Sequence, residues 1–233
     1  MNRLNNIKAV IFDADGTLVD HKECEKEALQ SVFAGIGIEF KPEYQDVFRP
    51  LDRALWSAAI KGTSEIPKEE IPTYRFKKFF DLVGIDCTDY VTANKNFRRG
   101  LAGANAVLAD APDIVQYLHD KGYKLAVATN GVTVLQKPRV ANSKVGKYIS
   151  EIVVSEEIGY SKPGPQIFFE IMERLGVKPD ETIMVGDQLD KDVKGAQNAG
   201  IKGVWFNPNK SKNETNVVPD HEIGSLLELK DIL

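Results

Sequence analysis

The second half of the chain alternates between two patterns of apolar and polar residues. Short apolar runs typical of buried strands are separated by stretches with apolar residues at helical spacing, which end at a glycine. Because parallel strands are joined by long crossovers, usually helices, this order predicts an α/β fold with a doubly wound parallel sheet. The predicted strands span 9–12, 125–129, 152–155, 183–186 and 203–206, the predicted helices span 113–121, 166–175 and 190–199, and a last short strand and helix are expected within 221–233.

Residues 20–101 follow a different pattern, with helical periodicity and hardly a convincing strand. An insertion of roughly 80 residues between the first two strands is far longer than an ordinary loop. We therefore predict a discontinuous α/β core formed by 1–19 and 102–233, and an inserted α-helical cap formed by 20–101. Hinges near 18–21 and 98–103 would let the cap close. The predicted cap helices span 24–33, 44–60, 70–83 and 89–97.

The first strand ends in two carboxylates, Asp13 and Asp15, followed by Gly16. Ionised carboxylates cannot remain buried without partners. The strand is therefore expected to deliver both side chains to a loop at the carboxyl edge of the sheet, where open α/β sheets bind ligands. A divalent cation would offset two like charges held close together, although an ordinary Asp-Gly turn would explain the run if it stood alone.

Two further strand ends carry groups suited to an anion. Thr129, Asn130 and Gly131 follow the second strand, and hydroxyl, amide and backbone N–H groups can hold the oxygens of an anion. The same triplet also forms ordinary turns. Lys162 precedes a proline, which favours an extended backbone at the lysine. Together these groups predict an anion site at the same edge of the sheet.

The fourth strand ends in an acidic segment. Asp187 lies at the end of the strand, and Asp192 follows five residues later, near the start of a helix. We interpret Asp190 as a helix-terminal charge that complements the helix dipole. Asp187 and Asp192 are expected to converge with the carboxylates of the first strand.

Composition argues against several classes of function. A net charge of −4 and an isoelectric point near 5.5 argue against binding of a nucleic-acid polymer, whereas a few local cations could hold a small phosphorylated metabolite. Cys24 and Cys87 are too few for a disulfide framework and lack metal-ligand spacing, so we interpret them as packing residues of a cytoplasmic protein. The polar N-terminal segment 1–7 lacks a signal-peptide pattern, and no apolar stretch is long enough to span a membrane.

Taken in order, the four strand-end segments resemble the signature of the haloacid dehalogenase superfamily of phosphohydrolases. The matching segments are Asp-x-Asp-Gly-Thr from Asp13, Thr-Asn-Gly from Thr129, Lys-Pro from Lys162 and Gly-Asp-x-x-x-x-Asp ending at Asp192. By this resemblance, which covers essentially the whole chain, Asp13 is expected to form an aspartyl-phosphate. Asp15 would act first as general acid and then as general base. The groups that would bind the transferring phosphoryl group are Thr129, Lys162 and the backbone of Asn130 and Gly131.

The resemblance also implies Mg²⁺ as cofactor, held by Asp13, the main-chain carbonyl of Asp15 and Asp187. Asp192 would act through a bound water or by orienting Lys162. Because Asp15 must be protonated in one step and basic in the next, its pKa is expected to lie above that of a free aspartate.

Residues of the predicted cap resemble those of nucleoside 5′-monophosphatases. The segment 154–159 agrees with that branch and with its N-acylneuraminate-9-phosphatase relatives. Asp52 stands where that branch is expected to carry an asparagine, which leaves the base preference open. His21, just past the first carboxylate loop, is expected to approach the substrate from the cap hinge. The matching cap residues are Leu55-Trp56, Gly62, Arg75-Phe76 and Gly84-Ile85.

Aromatic and basic side chains of the cap have two interpretations each. The aromatic rings could stack on a nucleobase, but aromatics at helical spacing are usually core residues, and we interpret them as core. The basic side chains are interpreted as a solvated face rather than a substrate clamp. The aromatic residues are Trp56, Phe76, Phe79 and Phe80, and the basic residues are Arg53, Arg75, Lys77 and Lys78.

The sequence thus predicts a Mg²⁺-dependent phosphatase, a monomer or homodimer, with a nucleoside 5′-monophosphate as favoured substrate. A sugar-phosphate or acylneuraminate-phosphate phosphatase is the alternative among enzymes. Phosphonatases place a Schiff-base lysine in the cap, and Lys22, Lys26 and Lys61 leave that activity open. A phospho-signalling domain also combines acids, a threonine and a lysine on a parallel sheet but needs no cap. A non-catalytic binder on this scaffold is the third class.

Overall fold

A computed structural model describes residues 4–233, so the prediction for the N-terminal segment 1–7 falls partly outside the described residues. The chain divides into two compact units, one formed by the chain up to His21 with Asn105–Leu233, and the other by Lys22–Ala104. These boundaries lie within three residues of those expected from the sequence. Across residues 4–233, no helix is long and apolar enough to cross a membrane.

The first unit is built on a six-stranded parallel sheet with the strand order β3-β2-β1-β4-β5-β6. The inner strands are buried on both faces, which explains their continuous runs of apolar residues. All six predicted strands are confirmed, and the first five match to within one residue at either end. The strands are β1 (Ala9–Phe12), β2 (Lys124–Thr129), β3 (Glu151–Val154), β4 (Thr182–Gly186), β5 (Lys202–Phe206) and β6 (His221–Ile223).

Helices cover both faces of the sheet or build the second unit. The helices of the second unit are α1 (His21–Gly35), α2 (Glu43–Ile60), α3 (Ile71–Val83) and α4 (Tyr90–Gly103). Those of the first unit are α5 (Ala111–Asp120), α6 (Thr133–Ala141), α7 (Ser155–Ile158), α8 (Gln166–Leu175), α9 (Lys194–Asn198) and α10 (Leu229–Ile232). Short 3₁₀ turns span Gly146–Tyr148, Pro179–Glu181 and Leu226–Glu228, and a π-helical turn spans Leu189–Val193.

Two predicted helices differ from the structure. In place of the predicted helix 190–199, the structure has a π-helical turn followed by the short helix α9. The turn forms because the Asp192 carboxylate accepts a hydrogen bond from the backbone N–H of Gln188, four residues earlier. Helix α4 continues six residues beyond its predicted end at 97. A Cβ at Gly100 would lie 2.8 Å from the Cα of Ala28, so this glycine permits a close helix crossing instead of ending the helix.

The four helices of the second unit enclose a core of phenylalanine side chains. Phe76, Phe79 and Phe80 are buried in it, which confirms their interpretation as packing residues, whereas Trp56 on α2 is half-buried. The interpretation of Arg75 as part of a solvated face is wrong. Its side chain is buried, with hydrogen bonds to Asp52 (2.8 Å) and Asn94 (3.0 Å). The carboxylate and surrounding aromatic rings compensate the guanidinium for lost hydration.

Candidate active site

The sheet order places β1 between β2 and β4, and the polar loops that follow these strands lie at the same carboxyl edge. Asp13 is the first residue beyond β1, and its N–H still donates to the carbonyl of Val185 at 2.9 Å, as in the sheet ladder. Gly16 has φ +87°, and a Cβ there would lie 2.8 Å from Asp187 Oδ2. A glycine is required here because any larger residue would displace Asp187 and strain the turn.

Lys162 supplies a buried positive charge beside Asp13. Its Nζ lies 2.5 Å from Asp13 Oδ1 and 2.7 Å from Asp192 Oδ1, and it donates to the carbonyl of Ala128 at 2.7 Å. Burial alone would lower the pKa of Lys162, but the two carboxylates raise that pKa well above its ordinary value. The ammonium is therefore charged at neutral pH and held by three acceptors.

Asn130 fixes the loop that carries Lys162. Its side-chain amide donates to the carbonyl of Lys162 at 2.9 Å, and its Oδ1 accepts from the N–H of Lys162 at 2.8 Å. This pair of bonds joins the loop after β2 to the loop after β3. The side chain of Asn130 is thus engaged with protein, and its backbone is the part available to a ligand.

Thr129 and Gly131 flank this asparagine. The Thr129 hydroxyl is buried and has no hydrogen-bond partner in residues 4–233, while the Gly131 N–H donates to Ser155 Oγ at 3.2 Å. A buried polar group without a partner is costly. The hydroxyl of Thr129 is therefore suited to an oxygen of a bound ligand.

Three carboxylates form a group that fits a divalent cation. Asp13, Asp187 and Asp192 each offer an oxygen, and these oxygens lie within 4.8 Å of one another. Asp13 Oδ2 and Asp187 Oδ1 are buried and lack any hydrogen-bond partner among the described residues. Both oxygens of Asp192 are engaged, one by Lys162 and the other by the Gln188 N–H. Hard carboxylate oxygens of this kind are the ligands that Mg²⁺ prefers.

The same group carries an excess of negative charge. Burial raises the pKa of Asp13 to about 8, although Lys162 opposes the shift, and burial together with Asp192 raises the pKa of Asp187 to about 6. Three carboxylates and one ammonium leave two negative charges when all are ionised. A divalent cation would neutralise that excess and bring both pKa values down.

Asp15 points to a different set of partners. Gln136 Nε2 donates to Asp15 Oδ2 at 2.8 Å, and Arg139 Nη2 donates to Asp15 Oδ1. His21 Nδ1 lies 3.3 Å from the same Oδ1, so this first residue of α1 faces the carboxylate of Asp15. The substrate contact expected of His21 stays a prediction.

The expectation of a raised pKa for Asp15 is wrong in this structure. Burial does raise it, but the His21 ring, the Arg139 guanidinium and the Gln136 amide outweigh burial and hold the pKa well below its ordinary value. Gln136 and Arg139 were missed in the sequence. A glutamine and an arginine three residues apart share one face of a helix, and their position directly after Thr-Asn-Gly is the signal that could have pointed to them.

Comparison with known proteins identifies the family. The model of the haloacid dehalogenase-like hydrolases matches residues 7–200, most of the chain. The chain belongs to the haloacid dehalogenase-like hydrolase family. The resemblance drawn from the four strand-end segments is confirmed, as are the fold class and the expectation of an enzyme.

Relatives of this hydrolase cover nearly its whole length. It is 31% identical over 227 residues to the pyrimidine 5′-nucleotidase PynA of Streptococcus pneumoniae, covering 97% of this chain and 94% of that protein. It is 32% identical over 248 residues to the glyceraldehyde 3-phosphate phosphatase of Methanopyrus kandleri, covering 97% of each. The crystal structure of the HAD-hydrolase YfnB of Bacillus subtilis bound to magnesium superposes with a TM-score of 0.85 at 28% identity, over 98% of this chain and 99% of that one.

Proposed function

We propose that this hydrolase is a Mg²⁺-dependent phosphomonoesterase that acts through an aspartyl-phosphate on Asp13. The observation that carries the proposal is the state of the two Asp13 oxygens. Oδ1 is held by the Lys162 ammonium, and Oδ2 is buried with no partner among the described residues. One oxygen thus orients the carboxylate while the other is available for reaction.

In the first step, Asp13 attacks phosphorus and the bond to the leaving oxygen breaks, while Asp15 gives that oxygen its proton. The Lys162 ammonium and the Thr129 hydroxyl bind the phosphoryl oxygens as charge spreads over them. In the second step, Asp15 takes a proton from water, the water oxygen attacks phosphorus, and Asp13 is released as a carboxylate.

Because its partners hold the pKa of Asp15 below its ordinary value and favour the carboxylate, Asp15 must gain a proton before the first step. A phosphoryl group at this site places negative charge beside it, and a neighbouring negative charge raises the pKa of a carboxyl group. The form held by Gln136 and Arg139 is the base required in the second step.

The cation would be held by Asp13, the main-chain carbonyl of Asp15 and Asp187, with Asp192 acting through a water or through Lys162. When bound, Mg²⁺ supplies the positive charge that offsets repulsion between the Asp13 carboxylate and the phosphoryl oxygens. Support comes from the three carboxylates whose oxygens lie within 4.8 Å of one another, from the unpartnered Asp187 Oδ1 and from the magnesium bound to the related YfnB structure.

We favour a nucleoside 5′-monophosphate as substrate, because the relative PynA is a pyrimidine 5′-nucleotidase and its similarity spans the cap segment. The alternative is a sugar phosphate or another small phosphorylated metabolite, and the similarly distant glyceraldehyde 3-phosphate phosphatase supports it. The residues 20–101 are proposed to act as the cap. Cytoplasmic location and a monomeric or dimeric state stay predictions.

The test is release of free phosphate from a panel of nucleotides, sugar phosphates and other small phosphomonoesters, with Mg²⁺ and with EDTA. Asp13→Asn is the test variant, and Asp190→Asn is the matched control because Asp190 is exposed in the same acidic segment. We expect metal-dependent turnover that Asp13→Asn abolishes and Asp190→Asn retains. Equal activity of Asp13→Asn and the wild type would overturn the proposal, and the rank order of substrates decides between nucleotide and sugar.

A further inference from the structure

Helix α6 presents a closed hydrogen-bonded group to the Asp15 carboxylate. Gln136 donates to Asp15 Oδ2 at 2.8 Å, Arg139 donates to Asp15 Oδ1, and Arg139 also donates to Gln136 Oε1 at 2.7 Å. Each carboxylate oxygen therefore receives a separate donor, and the two donors are bonded to each other. Two donors on a planar carboxylate fix both the position and the rotation of its plane.

Arg139 is an unusual residue to place at this depth. Its side chain is only 1% exposed, and it is the largest fully buried side chain in residues 4–233. A buried guanidinium without a counter-charge is strongly unfavourable, and its ionic partner is Asp15. The Arg139 guanidinium is therefore buried at the expense of its hydration, and its contact with the Asp15 carboxylate compensates for that loss.

Asp13 and Asp15, the two carboxylates of the first loop, contact different cations. Lys162 contacts Asp13 and Asp192, whereas Arg139 contacts Asp15. Asp13 and Asp15 are only two positions apart in the chain, yet separate side chains hold their carboxylates.

Helix α6 and the loop before it are joined to the short helix α7 by three polar contacts. The N–H of Gly131 donates to Ser155 Oγ at 3.2 Å, and the N–H of Thr133 donates to Glu156 Oε2 at 2.7 Å. Lys137 Nζ lies 2.6 Å from Glu157 Oε1. These contacts fix the start of the helix that carries Gln136 and Arg139.

We infer that Arg139, together with Gln136, is a positioning residue that holds the Asp15 carboxylate in the orientation required for proton transfer with the leaving oxygen and with water. The inference rests on the proposed phosphatase function. It assigns to the interior of α6 a role in the acid–base steps, separate from phosphoryl binding by Lys162 and Thr129.

The test compares two substrates that differ in their need for a proton. An alkyl phosphate such as a nucleoside 5′-monophosphate leaves as a strongly basic alkoxide, whereas p-nitrophenyl phosphate leaves as a weakly basic phenolate that needs no general acid. The parameter is kcat/KM, because it reports the steps up to departure of the leaving group and excludes hydrolysis of the aspartyl-phosphate. Variants are Arg139→Met and Gln136→Met, with Arg139→Lys as the conservative replacement and Asp15→Asn as the reference for a lost acid.

We expect Arg139→Met and Gln136→Met to lower kcat/KM for the alkyl phosphate by about 10²-fold, the usual contribution of general acid catalysis. The value for p-nitrophenyl phosphate should fall by less than about 3-fold, and Arg139→Lys should recover part of the loss for the alkyl phosphate. If Arg139→Met does not fold, Gln136→Met is sufficient to test the inference. It removes the hydrogen bonds of the Gln136 side chain and leaves no additional charge unpaired. Val134→Ala is the control, since Val134 lies on the same helix and its side chain is exposed.

Equal losses for the two substrates in Gln136→Met would show that the contact is merely structural and would overturn the inference. Unchanged kcat/KM for both substrates would overturn it as well. Failure of the proposed function looks different, because the wild-type enzyme would then show no metal-dependent turnover of either substrate, or Asp13→Asn would remain active, and the inference would fall with it.

Discussion

Asp13, Asp187 and Asp192 form a group of three carboxylates at the carboxyl edge of the sheet, and the Lys162 ammonium contacts two of them, Asp13 and Asp192. Each carboxylate is unfavourable to bury in its ionised form, and Lys162 can offset only one of the three charges. Two negative charges remain uncompensated when all three carboxylates are ionised. Stability should therefore depend on pH and on whether a divalent cation is present.

At the residue scale, we predict that stability of the metal-free enzyme falls as pH rises from about 4 to about 8. Burial raises the pKa of Asp13 to about 8 and that of Asp187 to about 6, from an ordinary value of 3.8. The unfolded chain then binds fewer protons than the folded one in this window, so the free energy of unfolding decreases with pH. If Mg²⁺ binds the ionised carboxylates as proposed, it should raise Tm more at pH 8 than at pH 5.

Thermal unfolding with EDTA and with Mg²⁺ across this pH range measures the effect. Asp187→Asn should flatten the metal-free pH profile and reduce the rise in Tm that Mg²⁺ gives, whereas Asp190→Asn should leave both unchanged. A larger gain in Tm at pH 5 than at pH 8 would contradict the account.

The residues whose chemistry lies at strand ends could be found from the sequence, because Asp13, Lys162 and Asp187 follow apolar runs whose ends meet at one edge. The hydrogen-bonding partners of Asp15 could not be found in this way. They depend on how α6 packs against the first loop; the spacing of Gln136 and Arg139 indicates that they share one helix face but does not indicate which loop that face meets. The direction expected for the pKa of Asp15 was therefore wrong, and its acid–base role stays a prediction.

At the element scale, the loops after β2 and β3 are joined by the two hydrogen bonds between Asn130 and the backbone of Lys162. We predict that Asn130→Ala lowers kcat about 10-fold or more, because small misplacement of a catalytic group costs large factors in rate. It should also lower the free energy of unfolding by about 1–3 kcal/mol, since the buried backbone groups lose their partners.

Phosphate release and urea unfolding measure these two effects. Asn198→Ala is the matched control, because the exposed Asn198 makes one hydrogen bond of 3.0 Å to the carbonyl of Pro163 in the same loop. Equal effects of the two variants on kcat would contradict a specific role for Asn130.

Helices α2, α3 and α4 are joined through Arg75, which contacts Asp52 and Asn94 and lies over the ring of Phe97 at 4.5 Å. We predict that Asp52→Ala destabilises the helical unit by about 3 kcal/mol, because it leaves a buried guanidinium without its counter-charge. Urea unfolding measures the change. Arg53→Ala, at the neighbouring exposed position, should change stability by less than about 0.5 kcal/mol.

A double variant Asp52→Ala with Arg75→Met separates charge from packing. It should recover part of the stability lost in Asp52→Ala, since the buried charge is removed together with its partner. Additive losses in the double variant would show that Asp52 and Arg75 act independently.

Strands and most helices of this chain follow from local periodicity, whereas two features depend on tertiary contacts. The π-helical turn Leu189–Val193 exists because Asp192 bonds back to Gln188 and to Lys162. The extension of α4 beyond residue 97 depends on a close approach between Gly100 and Ala28. Neither contact is visible in the sequence, because each joins residues whose spatial proximity is set by the rest of the fold.

At the scale of the whole molecule, strand order explains why one site forms at all. The order β3-β2-β1-β4-β5-β6 places β1 at the point where the chain reverses direction across the sheet. The connections after β1 and β4 lead in opposite directions there and leave a crevice at the carboxyl ends of the strands. Asp13, the Thr129 and Lys162 side chains, and the Asp187 and Asp192 carboxylates thus come from separate segments of one parallel sheet.

The central claim is that the phosphoryl group passes through Asp13. The most direct measurement is an acid quench during turnover of a nucleoside 5′-monophosphate labelled with ³²P, followed by location of protein-bound label by peptide mapping. Asp15→Asn is labelled instead with ³²P-labelled p-nitrophenyl phosphate, whose first step needs no general acid, so only its second step is slowed and the intermediate should accumulate. The account predicts hydroxylamine-sensitive label on the peptide that contains Asp13, dependent on Mg²⁺ and absent from Asp13→Asn. Label on another residue, or phosphate release with no labelled protein in Asp15→Asn, would contradict it.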